Sequence, residues 1–280
     1  MGININILVD NNTIVDSYYC GEPGLSIYIE ADGRRILFDT GYSDLFIKNA
    51  QQLGIDLNKI TDLVISHGHN DHTWGITHLI QYFDRGIKDI DLNKILICHP
   101  NALIQKKYER KPIGMSISRS TLEFFFKIVE TCNVYNISEN IFFMGQIPRE
   151  MEPEPSQVIG ETYDSNGRSI DDYVLDDTAL VIKTNQGIII VTGCSHSGIC
   201  NIVKYAKEIT GDNRIVTIIG GFHLEEASGS LLKFTGEYLN KQHIDHIYPC
   251  HCTGLNAKLH LAKLVDVRDV GSGLKISYQC

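Results

Sequence analysis

The sequence predicts an α/β (α+β) protein folded as an αββα four-layer sandwich, two sheets face to face between outer helices. Three observations carry this expectation. The first half of the chain is a β-rich layer of apolar runs interleaved with helix-like stretches. The second half repeats that pattern, and both halves place polar, chemistry-bearing residues at the ends of their strands. Two such halves bury their apolar faces best by packing sheet on sheet with helices outside.

In the first half, residues 2–10 alternate apolar and polar side chains like a strand. Residues 25–30 and 35–39 form two more, joined through Asp32-Gly33, a strong hairpin pair. Ser43 reads as the N-cap of a helix that runs to about Leu53 and stops at Gly54. The run from Asp62 to Ser66 is a buried strand, and a helix begins after Thr73. Residues 95–99 are a further strand, ended by Pro100.

Residues 101–175 read as an insertion or lid region within a single 1–280 domain. Helix is expected over 101–110 and 120–132, and strand over 133–144 with a turn at 138–140. Residues 148–173 are acidic and rich in proline, the composition of a loop, a lid or a homodimer contact.

In the second half, residues 179–183 and 187–192 suit a hairpin. A helix over 198–210, a strand over 216–219 and a helix over 230–242 follow. After the stretch His246 to Gly254 come another helix and a last strand over 273–278.

Composition bounds the function. The chain has 280 residues and a formal net charge of −9, without the basic footprint that nucleic-acid binding needs. No segment approaches the roughly 18 apolar residues of a membrane span, and the N-terminus lacks the pattern of a signal peptide. The eight cysteines are scattered, which fits reduced thiols in a cytoplasmic enzyme.

The densest chemistry lies in Ser66-His67-Gly68-His69-Asn70-Asp71-His72, on a strand-to-helix turn. Imidazole and carboxylate together can hold one zinc-like ion or two. His67 and His69, two apart in extended chain, point the same way, while Asp71 and His72 aim at a second position. His196, after an apolar strand in Gly193-Cys194-Ser195-His196, is a further candidate ligand. His223 follows Gly220-Gly221-Phe222, where adjacent glycines allow close approach to a ligand. Its candidate roles are substrate contact, acid/base work and metal ligation. His251 sits in Cys250-His251-Cys252, and no second thiolate pair lies near in sequence to close a separate zinc-thiolate site. Cys194 can touch a metal as a thiolate but reads first as a buried thiol. His78, His99, His243, His246 and His260 read as structural.

The spacing H-x-H-x-D-H resembles the signature of the metallo-β-lactamase superfamily, and the resemblance extends over nearly the whole chain. It implies the αββα architecture, His251 as the last metal-binding His, and Asp39 of Phe38-Asp39-Thr40-Gly41 as a support for the metal loop. Relatives usually carry a further His before the stretch held here by Gly-Cys-Ser-His, and a bridging Asp within it. Neither is present, so His196 or a later residue must supply the third ligand of the first ion. The bridging carboxylate is absent or comes from an unusual place such as Asp177.

Together with Asp-Asp-x-Ala-Leu, Gly-Gly-Phe-His-Leu and His-Cys-Thr-Gly, the motifs resemble the subgroup named for a dihydropterin–aminobenzene-phosphate synthase. The residues themselves favour hydrolysis of an ester or phosphate-containing small molecule by metal-activated water, with Asp71 and His223 as catalytic residues. The resemblance implies an alternative: transfer of a dihydropterin methyl group from its diphosphate to an aryl ribose phosphate. A non-hydrolytic metal or redox protein is the third reading, although iron-dependent relatives usually replace the second His, kept here as His69. Zinc is the expected ion, with manganese, iron or magnesium as alternatives.

Overall fold

The computed structural model describes residues 2–86, 93–154 and 157–279. Two sheets dominate. The first has seven strands, in the order Lys275–Gln279, Gly2–Val9, Ser26–Ala31, Arg34–Phe38, Asp62–Val64, Ile95–Cys98 and Lys127–Glu130. The second has six, in the order His246–Cys250, Ile215–Gly221, Ile188–Thr192, Ala179–Lys183, Ile141–Phe143 and Tyr135–Asn136.

Both sheets are mixed. Antiparallel pairing prevails at the chain's start, as between Gly2–Val9 and Ser26–Ala31, and parallel pairing where helices connect the strands. Each sheet is buried on both faces, so its strands alternate between two apolar environments. Ile36 and Phe38 enter the core between the sheets with Leu180, Ile182, Ile189 and Val191. Leu37 points outward to Phe46, Ile76, Leu79 and Phe83 of helices Leu45–Gln52 and Ile76–Gly86. On the far side, Ile188 and Ile190 meet Ile199, Ile202 and Val203 of helix Ile199–Thr210 and Leu232 and Leu239 of helix Gly229–Lys241. Helix, sheet, sheet and helix are the four expected layers.

Several local expectations change. The cap of helix Leu45–Gln52 is Asp44, one residue after Ser43, whose hydroxyl accepts from the Leu45 amide. The helix expected after Thr73 is two: a single turn, Asn70–Thr73, and then Ile76–Gly86. Residues 101–110 are not a helix, but a 3-10 turn at Pro100–Leu103 followed by strand Lys107–Tyr108. Within 120–132 only Arg119–Leu122 is helical, because Ile128 and Val129 pair in parallel with Leu96 and Ile97 at the edge of the first sheet. Residues 148–173 are not wholly loop either. Glu161–Tyr163 and Ser169–Asp171 join Lys107–Tyr108 and Lys111–Pro112 in a small four-stranded sheet.

Candidate metal centre

Every chemistry-bearing stretch lies where a strand of one of the two main sheets ends, and in four of them the backbone is bent out of the extended region. Asp39, Ser195, His223 and His251 have φ of 58°, 62°, 50° and 53°. Left-handed conformations at non-glycine residues cost energy and persist where surrounding contacts enforce them. These bends turn the strand ends toward one another, and the ends of both sheets converge on one cluster.

The His67–His72 turn supplies four members of that cluster. His67 and His69 lie edge to face, 4.6 Å between ring centres, and His196 sits 4.9 Å from the first and 5.1 Å from the second. The donor atoms of these three imidazoles lie within 4.8 Å of one another. Asp71, His72 and His251 form a second group by the same measure. There His251 Nε2 is 3.2 Å from His72 Nε2 and 3.3 Å from Asp71 Oδ2. The two groups adjoin: His67 and His72 lie 4.2 Å apart ring to ring and share a third group with Cys194.

The supporting contacts fix the orientation of the rings. Asp39 is fully buried and accepts from the Ser66 amide at 2.7 Å and the Ser66 hydroxyl at 2.6 Å. Its Oδ2 also lies 2.6 Å from His72 Nδ1, which leaves Nε2 facing the cluster. His251 is held by neighbours that the sequence did not reveal. Its amide donates to Asp10 at 2.7 Å, and its Nδ1 meets Asn11 Oδ1 at 3.0 Å. Gly68 between the first two histidines donates its amide to Asp176 at 2.7 Å. The same Asp176 accepts from the buried Lys106 ammonium, which also pairs with Asp172. A side chain at Gly68 would strike the Ala102 carbonyl, so the turn needs glycine there.

Protonation separates the two groups. Burial drives His69 down to about 4 and holds His67 and His196 well below the ordinary imidazole range, so all three are neutral at neutral pH. Burial acts on His72 in the same direction, but the carboxylates of Asp71 and Asp39 outweigh it and raise His72 to about 9. Despite its own burial, Asp71 is held below the usual carboxylate range by His72 and His251.

Two buried ring nitrogens, His69 Nε2 and His196 Nε2, have no hydrogen-bond partner. Unpaired buried polar atoms are costly, and neutral imidazole is a good metal ligand. The donor sets therefore fit metal ions, and these buried clusters could hold them.

Three other candidate residues lie around this core. His223 stands 4.2 Å from His196 ring to ring, with a buried, unpartnered Nδ1. A small cleft opens beside this pair, lined by Ile199, Phe222, Leu224, Leu231, Glu154 and Gln157. Asp177 does not join either donor group. Its Oδ2 accepts from the Ser197 amide at 2.9 Å and also from the Ser197 hydroxyl, so it braces the residue after His196. Cys194 occupies the gap instead, its Sγ 3.2 Å from His72 Nε2 and grouped with both His67 and His72.

Comparison with known proteins agrees with this architecture. Residues 21–87 match the Metallo-beta-lactamase superfamily. The chain is 33% identical over 265 residues to an uncharacterized protein of Methanocaldococcus jannaschii, covering 93% of this chain and 94% of that one. It is 32% identical over 270 residues to the 7,8-dihydropterin-6-methyl-4-(beta-D-ribofuranosyl)-aminobenzene-5'-phosphate synthase of the same organism, covering 91% and 89%. A crystal structure described as a metal-dependent hydrolase of the beta-lactamase superfamily superimposes with a TM-score of 0.83 at 28% identity, over 98% of each chain. With its four layers and its His-rich strand ends, the chain belongs to the metallo-beta-lactamase superfamily.

Proposed function

We propose that the protein is a zinc-dependent hydrolase of an ester or phosphate-containing small molecule. The observation that carries this is the adjacency of two donor groups, His67/His69/His196 and Asp71/His72/His251, the first with buried imidazole nitrogens that lack hydrogen-bond partners. Imidazole with carboxylate suits zinc better than magnesium, which prefers an all-oxygen shell. A bound ion of this class supplies Lewis acidity, making water acidic near neutral pH and drawing charge from a phosphoryl or carbonyl oxygen.

The chain's own residues do the rest. Asp71 is partly buried and held ionised, which suits it to accept a proton from the attacking water. His223 is raised above the ordinary imidazole range: burial opposes this, and the neighbouring Cys252 outweighs it. It stands at the mouth of the cleft and can pass a proton to the leaving group. The apolar floor of Phe222, Leu224 and Leu231 takes the non-reacting part of the substrate.

A second reading is supported by the similarity to the synthase. In it the same centre holds a diphosphate leaving group while an aryl acceptor attacks the methyl carbon of a dihydropterin. Incubating the zinc-loaded protein with a dihydropterin methyl diphosphate, with and without aryl ribose phosphate, separates the two. Diphosphate release that requires the acceptor, with a coupled product, supports transfer. Turnover of phosphodiester or lactone substrates without any acceptor supports hydrolysis, and inactivity of the zinc-loaded protein toward all of them would overturn both.

A further inference from the structure

We propose that Lys106 is a positioning residue for the first donor group: acting through Asp176 and Gly68, it fixes how His67 and His69 are presented. This rests on the metal centre proposed above and concerns the His67, His69 and His196 group alone.

Lys106 is only 2% exposed, although burying an ammonium carries a desolvation penalty that ion pairing merely offsets. Apolar residues would fill the same space at no such cost, so what the lysine adds here is direction. Its Nζ lies 2.8 Å from Asp172 Oδ2 and 3.0 Å from Asp176 Oδ1. Asp176 is fully buried, and with Oδ1 engaged by the ammonium its Oδ2 is aimed at the Gly68 amide, 2.7 Å away. Gly68 stands between His67 and His69, so any rotation of its peptide turns both rings. The lysine stem packs on the same glycine, where a Cβ would lie 2.9 Å from Lys106 Cε. Contact and charge together hold the peptide in place.

The lysine comes from the small sheet, at the entrance to the hairpin of strands Lys107–Tyr108 and Lys111–Pro112. That hairpin closes on itself, because the Lys106 carbonyl accepts from the Ile113 amide at 3.0 Å and the Gly114 amide at 3.2 Å. A Cβ on Gly114 would stand 2.4 Å from the Lys106 nitrogen, so glycine is what lets the two ends meet. The Gly114 carbonyl in turn accepts from Trp74 Nε1 at 2.7 Å. One hairpin therefore grips the histidine turn at both ends, at Gly68 through Lys106 and Asp176 and at Trp74 directly. The second donor group is held by other means: His72 by Asp39, and His251 by Asp10 and Asn11. Loss of the Lys106 charge is thus felt at the first group.

The test is zinc affinity, measured one equivalent at a time on the full-length protein against a competing chelator. The equivalent belonging to the first group is the one that His196→Ala removes. In Lys106→Met that equivalent is expected to bind about 10- to 100-fold more weakly, with the other unchanged. The visible spectrum of the cobalt(II)-loaded variant should shift as well, because the ligand field follows the ring orientation. Asp172→Asn is the control, since it breaks the same buried ion cluster but keeps Lys106 on Asp176, and both equivalents should stay close to wild type. Equal weakening in Lys106→Met and Asp172→Asn, or weakening of both equivalents, would leave Lys106 a purely structural role and overturn the proposal. Wild-type affinity and spectrum in Lys106→Met would overturn it too. Should Lys106→Met not fold, Lys106→Met combined with Asp176→Asn removes both charges together, and the same selective loss is expected. Wild-type affinity in that double variant would overturn the proposal. Failure of the wild-type protein to take up zinc would overturn the metal centre itself, and the role of Lys106 with it.

Discussion

Asp39 and His72 meet carboxylate to imidazole at 2.6 Å, both fully buried, 33 residues apart in the chain. The contact joins the end of strand Arg34–Phe38 to the turn that carries the histidines, and it determines which ring nitrogen faces the cluster. Replacing Asp39 by Asn keeps the shape and removes the charge. Metal affinity is expected to fall by about 10- to 100-fold, as for other partners of metal-binding histidines. Zinc titration against a competing chelator measures it, and an unchanged affinity would contradict the orienting role.

The two donor groups are expected to be separable. His196→Ala removes a member of the first group only, and His251→Ala a member of the second only. Elemental analysis after dialysis should show each variant losing one equivalent of zinc relative to wild type while retaining the other. Chelator treatment of the wild type should remove both equivalents and abolish turnover. Loss of all metal in both single variants would instead mean that one shared ion is bound.

Lys106 is a buried cation between Asp172 and Asp176, and Asp176 holds the Gly68 amide. Burial opposes its charge, yet the two carboxylates keep its pKa above the ordinary lysine value. Lys106→Met leaves those carboxylates buried without compensation, at a cost on the order of 3–5 kcal/mol. Urea unfolding of the variant should show that loss, with the midpoint moving and the slope preserved.

Asp177 gives a pH signature. Burial pushes its carboxyl up to about 6, against the hydrogen bonds from Ser197, whereas the unfolded group titrates near 3.8. A raised folded pKa favours the protonated native state, so this stabilisation is full below about pH 4 and lost as the pH rises through about 6. The shift corresponds to about 3 kcal/mol. Metal-free wild type should therefore lose about that much stability relative to Asp177→Asn between about pH 4 and pH 7. Parallel pH curves for the two proteins would remove Asp177 as the source.

The sequence by itself determined the four layers and pointed to most of the candidate ligands. Strand runs and helical periodicity are local signals, and His67, His69, Asp71 and His72 lie within one turn whose geometry follows from their spacing. His196 was legible after an apolar strand and His223 beside paired glycines, whereas His251 was read from the family resemblance. Only the tertiary structure decided what completes the centre. Cys194 meets His72 across 122 residues, His251 meets Asp10 across 241, and Asp176 reaches Gly68 across 108. Such contacts depend on strand order and on left-handed bends at strand ends, which no local pattern encodes. The same physics reversed the reading of 120–132. Residues with helical spacing became the edge strand Lys127–Glu130 because Ile95–Cys98 offered a parallel partner and a buried face.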